Sequence, residues 1–432
     1  MQRQKRIGFL SSSLQEGPRP HGDRPATRLS ASWSHAVSAL GLTLALGIAL
    51  PGLETPALGK DKSAISDRSA SSRYSFQTQP VRFKNWGIAN GQSQSHVQAV
   101  DAWGIERGNR EIIVAVIDTG VDANHPDLKT NIWEPTRKNA QKSGYGWNFV
   151  RDNSQPTDDH GHGTHVAGII GAIANPESGV SGVAQNVSIM AVKYYSENAS
   201  GAVNLANTVK AIDYAVKNGA RIINYSGGGP EFSEEEYLAI RRAELAGVLV
   251  VAAAGNEHQD TDQVENYYYP SAYRLSNIIS VAATDIHNRL IRSSNWGARR
   301  VDVAAPGENI YSTLPNGKYG YMTGTSQATA FVSGIAALLL SKNPKLTPIE
   351  LKKLILDNVD RFPTLAGKVA TSGRVNAFKS LLALETSGKR TGRSQSLASK
   401  STSRPNLSTW VASRKLQASD PSSARTVQSL KE

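Results

Sequence analysis

Cysteine is absent from the 432-residue chain. No disulfide, thiolate nucleophile or Cys-ligated metal site is therefore available, and a domain of this size can be stable without such staples. The compartment is left open by that fact. Methionine is nearly as scarce: besides Met1 only Met190 and Met322 occur, so no nearer in-frame methionine offers a shorter leader. The leader has a basic start and then the apolar stretch AVSALGLTLALGIAL, Ala36–Leu50, followed by Pro51, Gly52 and small residues at Ala57 and Gly59. That stretch falls short of the roughly 20 residues that span a bilayer. It fits an export signal, giving a secreted or periplasmic protein, with an uncleaved membrane anchor as the alternative. A basic face on the body of the chain is lacking too. The net charge is +12, but residues 1–35 carry six basic and two acidic side chains, and the segment from Ser387 carries nine and two, which leaves +1 for everything between. Nucleic acid is not expected as a partner of the folded part.

What is present falls into four stretches: an export region over 1–59, a Ser-rich linker or short pro-segment over 60–81, one large domain over 82–384, and a basic, Ser-rich tail over 385–432 that reads as disordered. No internal repeats occur. Within the domain, IIVAVI (112–117), VSIMAVK (187–193), ARIINYS (220–226), VLVVAAA (248–254) and IISVAAT (278–284) are the continuously apolar runs of strands buried on both faces. Residues 203–219 repeat apolar side chains at Val209, Ile212 and Val216 and stop at Gly219, as a helix on such a sheet would. Residues 233–247 open with a Ser and acids, which suits an N-cap and the helix dipole. Alternating strands and helices predict an α/β fold, a doubly wound, mainly parallel sheet with helices on both faces. In such sheets active residues collect at the carboxyl ends of the strands.

Four segments carry candidate chemistry. Asp118 ends the apolar run IIVAVI and opens DTGVDANHPDL, a place for either a turn-forming Asp or an active carboxylate. DDHGHGTHVAG (158–168) holds His160, His162 and His165. It approaches the metallohydrolase pattern His-x-His-x-Asp-His, yet Thr164 stands where that pattern needs aspartate. GTSQATAFVSGIAALLL places Ser326 at the head of a long apolar helix, where backbone N–H groups can hold an oxyanion; an N-cap is the plainer role for Thr325 or Ser326. In VVAAAGNE, Asn256 follows a buried strand through Gly255 and can donate an amide hydrogen bond.

Taken together, VIDTGVDANHPDL, HGHGTHVAG, AAAGNE and GTSQA resemble the subtilisin-like serine proteases (subtilases) over roughly residues 82–384. The resemblance implies a serine endopeptidase with Ser326 as nucleophile, His162 as general base, Asp118 as its orienting carboxylate and Asn256 in the oxyanion hole. It makes His165 a structural companion and leaves His160 without a role. It further implies that Ser226, Gly227 and Gly228 pair with an extended peptide, and that Ala253, Ala254 and Gly255 line the first specificity pocket with Glu257 near its entrance. Asp127 and Asn175 match oxygen ligands of a structural Ca²⁺ in relatives. A monomer acting on protein or peptide substrates is expected, and a catalytically silent peptide binder is the alternative. Three features depart from the family: Gln327 stands where relatives carry an oxidation-prone methionine, Ala330-Phe331 replaces Pro-His, and the segment 60–79 is too short for a folded inhibitory propeptide.

Overall fold

The computed structural model describes residues 83–89, 95–135 and 144–387; the predicted export region, the linker and the tail beyond Ser387 lie outside them. By internal contacts the chain divides into Met1–Glu385 and Thr386–Glu432, and the fold below belongs to the first.

Among the described residues nine strands form one sheet in the order β10-β11-β7-β6-β5-β4-β1-β3-β2. They are β1 (Ile113–Asp118), β2 (Gly146–Asn148), β3 (Ser188–Lys193), β4 (Ile222–Tyr225), β5 (Leu249–Ala253), β6 (Ile278–Thr284), β7 (Val303–Pro306), β10 (Asp360–Arg361) and β11 (Gly373–Arg374). A separate antiparallel hairpin joins β8 (Ile310–Leu314) to β9 (Lys318–Met322). All pairings in the large sheet are parallel except β10 with β11 at the edge. The doubly wound, mainly parallel architecture expected from the apolar runs is therefore the one found.

The alternation of side chains on β1 explains the layering. Val114 and Val116 join the larger apolar cluster with α1 (Ala99–Ala102), α2 (His162–Gly171) and α5 (Thr325–Lys342), whereas Ala115 and Ile117 join a second cluster with α3 (Gly201–Lys217) and α4 (Glu234–Leu245). Successive side chains of a strand point to opposite faces, so a strand covered on both must be apolar throughout. α2 and the first sixteen residues of α5 are wholly buried, an unusual condition that their Gly, Ala and Leu content allows. Capping follows the sequence: Ser200 and Ser233 accept the N–H of Val203 and Glu236 at the starts of α3 and α4, and Thr347 with Glu350 forms a capping box on α6 (Pro348–Asp357).

β1 pairs β3 on one side and β4 on the other, with Asp118 level with Lys193 and Ile117 level with Tyr225. From β1 the chain runs to β2 and β3 on one side and then crosses from β3 to β4 on the other, so the winding reverses beside β1 and a crevice opens beyond the strand ends.

Candidate active site

Asp118 closes β1 with no solvent exposure, and its Oδ1 accepts the N–H of Thr119 at 2.7 Å. His162 is the first residue of α2 and only 3% exposed, and its Nδ1 lies 2.8 Å from the same Asp118 oxygen. Close approach of the two segments requires Gly163: a Cβ there would sit 2.1 Å from the Gly120 carbonyl and 3.1 Å from the Asp118 Cβ. Burial pulls the His162 imidazole toward a lower pKa, but the Asp118 charge, its hydrogen bond and the Asp158 charge outweigh that and hold the group above the ordinary imidazole value.

The loop ahead of α2 is fixed by a residue that the sequence reading passed over. Asp158 Oδ1 accepts from Thr119 Oγ1, the His160 N–H and the Gly161 N–H, and Oδ2 accepts from the Thr164 N–H and Oγ1, all at 2.6–3.0 Å. One buried carboxylate thus ties the turn after β1 to the start of α2. The available signal was an acid six residues ahead of Thr164 in a Gly-rich helix entry, the setting of an N-terminal anion cap. Lys193 adds a second tie, donating from its buried Nζ to the Thr119 carbonyl at 2.6 Å and to Asp159 at 2.5 Å.

His165 and His160 differ from His162. His165 is fully buried and its Nε2 meets the carbonyls of Ile310 at 3.0 Å and Gly320 at 3.3 Å, so Nε2 carries a proton and links α2 to the hairpin. Burial, aided by the His162 charge, depresses its pKa to about 3. His160 sits at the mouth, its Nε2 3.3 Å from Glu197 and its ring edge-on to His162 with centroids 6.3 Å apart.

Ser326 occupies the second position of α5 and is 8% exposed. It does not cap the helix, and neither does Thr325: the N-cap is Gly324, and the Thr325 N–H is taken by Asn256 Oδ1 at 2.8 Å. That bond consumes the amide oxygen of Asn256 and leaves its Nδ2 protons as the free end, beside the helix start whose first N–H groups have no intrahelical acceptor. The Ser326 hydroxyl donates to the Ser226 carbonyl at 3.0 Å, and the Ser226 hydroxyl donates back to the Ser326 carbonyl at 3.2 Å. Gln327 is buried and directs its Nε2 at the Met322 sulfur, 3.9 Å away. Ala330 and Phe331 leave the first helical turns intact, with Thr329 Oγ1 on the Thr325 carbonyl at 2.8 Å.

The expected substrate-binding segments flank this group. Ser226, Gly227 and Gly228 follow β4 directly, and a Cβ on Gly227 would meet the Tyr194 hydroxyl at 2.1 Å. Ala253 ends β5, and Ala254 and Gly255 follow it directly. Asn295, fully buried, holds the next loop: its Oδ1 accepts the N–H of Glu257 and Gln259, and its Nδ2 donates to the Ala254 carbonyl and to Glu257 Oε2. Desolvation keeps the Glu257 carboxyl above the usual range, although the residue as a whole is exposed.

Asp127 and Asn175 are brought together, but by a hydrogen bond. Asn175 Nδ2 donates to Asp127 Oδ1 at 2.8 Å, while Ser178 Oγ and the Tyr319 hydroxyl donate to Oδ2 at 3.1 and 2.7 Å. The Asn175 oxygen is already occupied by the N–H groups of Glu177 and Ser178. In this arrangement a single carboxylate faces three protons, whereas Ca²⁺ takes six to eight oxygens; the residues as placed do not fit the ion. Desolvation and the Asp127 hydrogen bond push the Tyr319 hydroxyl up to about 12.

Comparison with known proteins agrees with the motifs. The profile of the subtilase family matches residues 109–395. Thermitase of Thermoactinomyces vulgaris is 38% identical over 285 residues, covering 66% of this chain and 93% of that protein. The major intracellular serine protease of Bacillus subtilis (strain 168) is 40% identical over 250 residues, 57% of this chain and 73% of that one. Among solved structures, that of a lanthipeptide protease superposes with a TM-score of 0.56 at 26% identity, covering 66% of this chain and 90% of that chain. The chain belongs to the subtilase family and is a subtilisin-like serine endopeptidase.

Proposed function

We propose that the enzyme is exported and cleaves peptide bonds through an acyl-enzyme formed on Ser326, with His162 as general base and Asp118 as its orienting carboxylate. The carrying observation is the 2.8 Å contact between Asp118 Oδ1 and His162 Nδ1 at the end of β1. The reaction follows from the parts. An extended peptide donates a backbone N–H to the Ser226 carbonyl and displaces the Ser326 hydroxyl from it. The hydroxyl then turns to His162, which takes its proton as Oγ attacks the scissile carbonyl. Asp118 accepts from Nδ1 and stabilises the imidazolium that results. The tetrahedral oxyanion is held by Asn256 Nδ2 and the Ser326 N–H, and loss of one such donor in subtilisin costs about 10² to 10³ in kcat. The imidazolium returns its proton to the leaving amine, and water repeats the sequence on the ester.

Ser226, Gly227 and Gly228 serve as the pairing segment, and Ala253, Ala254 and Gly255 wall the first specificity pocket with Glu257 at its rim. The Asp127 and Asn175 cluster acts as a hydrogen-bonded strut in the arrangement described. Export rests on the Ala36–Leu50 segment; among the described residues no helix is long and apolar enough to cross a membrane.

Labelling by a fluorophosphonate, which reacts with an activated serine, tests the central claim. Purified protein is expected to label and the Ser326→Ala variant is not. Folded wild-type protein that fails to label would instead support a silent peptide binder.

A further inference from the structure

Three hydroxyl side chains along α5 are bonded in two different ways. Thr329 and Ser341 turn back on their own helix, donating to the carbonyls of Thr325 and Ala337, each four residues earlier. Ser333 instead donates out of the helix, at 2.8 Å, to Oδ1 of Asn224 on β4. Asn224 shares with Ile222 the side of β4 that α5 covers, and neither Asn224 nor Ser333 is exposed at all. An amide buried so deeply costs stability unless its polar atoms are bonded. Its Nδ2 donates at 2.9 Å to the Ser226 hydroxyl, and that hydroxyl donates at 3.2 Å to the Ser326 carbonyl. This chain of bonds leaves α5 at Ser333 and returns to it at Ser326, seven residues back and on the same helix face.

We propose that Asn224 and Ser333 are positioning residues for the nucleophile, acting through the hydroxyl of Ser226. The proposal rests on the reading of Ser326 as nucleophile and of residues 226–228 as the segment that pairs with substrate. The direction of the bonds carries it. Ser333 gives its one proton to Oδ1, which orients the amide with Nδ2 toward Ser226. Nδ2 can only donate, so it occupies a lone pair of the Ser226 hydroxyl and leaves that group's single proton for the Ser326 carbonyl. The end of β4 is thereby fastened to the head of α5 by side chains, while the Ser226 carbonyl accepts the Ser326 hydroxyl. In the proposed reaction the Ser326 hydroxyl leaves that carbonyl for His162, and the relay through the Ser226 side chain survives the exchange. It keeps the Ser326 N–H and Oγ in place during attack, where a misplacement of about 1 Å can cost about 100-fold in rate.

A double-mutant cycle over Ser226 and Ser333, read by the rate of fluorophosphonate labelling and by turnover of a fluorogenic peptide, provides the test. Both changes are to Ala, which leaves every backbone group in place and favours the helix at position 333. Ser226→Ala and Ser333→Ala are each expected to slow labelling and to lower kcat by about 3- to 10-fold, with KM changed less than about 2-fold. The double variant should be no slower than Ser226→Ala alone, because the relay is already cut at its last bond. Wild-type rates in either single variant overturn the proposal. So does a double variant in which the two losses multiply, since Ser333 would then act on the rate without Ser226. Failure of the folded wild type to label or cleave is a separate result, seen before any variant is compared, and it removes the nucleophile reading and the relay together.

Discussion

The two oxygens of Asp118 are used unequally: Oδ1 takes both the Thr119 N–H and the His162 Nδ1, and among the described residues the buried Oδ2 has no hydrogen-bond partner. The charge is therefore spent on the imidazole, which stays protonated to a pH above its ordinary value of 6.5. A base is active when neutral, so the acid limb of kcat/KM should fall above pH 6.5. Asp118→Asn removes the charge and makes the neutral tautomer with its proton on Nδ1 harder to hold; kcat should drop about 10⁴-fold. The residual acid limb should move to lower pH, and a pH-rate profile measures both. An unmoved limb in the variant would mean that another group is the base. Asp118, His162, Asn256 and Ser326 could be singled out in the sequence because each lies in a short motif at the end of an element; the structure brings Asp118 to His162 and Asn256 to the head of α5. The first-turn acids of α4 stand where the sequence put them, but the burial of Glu236 was not legible: acids in a first helical turn ordinarily face water, and nothing in the local pattern reveals that Tyr273, 37 residues on, covers this one.

At the scale of elements, the long apolar runs located β1 and β3 to β6 within a residue or two, since strands buried on both faces leave β-branched apolar runs, whereas the buried helices α2 and α5 are richer in Gly, Ala and Leu. The short pieces were illegible: β2, β7, the β8–β9 hairpin and the edge pair β10–β11 are two to five residues long and draw their pairing from distant chain. The hairpin nonetheless matters to the site, because His165 bonds its backbone and Tyr319 on β9 reaches Asp127. Asp127 thereby joins the turn after β1, the loop after α2 and the hairpin through three donors. With its carboxylate compensated this way, exchanging EDTA for millimolar Ca²⁺ should move the Tm by less than about 2 °C. Tyr319→Phe removes a hydrogen bond to a charged group, worth about 1–2 kcal/mol, and should lower the Tm by about 2–5 °C. A calcium-dependent rise of about 5 °C or more that vanishes in Asp127→Asn would show instead that the cluster turns its oxygens inward around the ion.

For the whole molecule, buried titratable groups set opposing demands of pH on stability. His165, depressed to about 3 from 6.5, contributes stability that is present above pH 6.5 and lost as pH falls toward 3. Glu236, raised to about 7 from 4.5, contributes in the other sense: its share is complete below pH 4.5 and is lost as pH rises through 7. At 1.36 kcal/mol per unit the spans are on the order of 5 and 3 kcal/mol. Between roughly pH 4.5 and 6.5 the two slopes cancel; under the mechanism proposed above, His162 becomes an effective base only above that interval, where the Glu236 contribution has largely been given up. The consequence is measurable in denaturant titrations of the Ser326→Ala protein, which cannot digest itself. Glu236→Gln in that background lacks the titration, so its stability should gain on the parent by about 3 kcal/mol between pH 4.5 and well above pH 7, at about 1.4 kcal/mol per unit. Comparing the two proteins cancels every group they share, including His165. A difference that stays constant with pH would mean that the Glu236 carboxyl titrates in the native fold as it does in the unfolded chain.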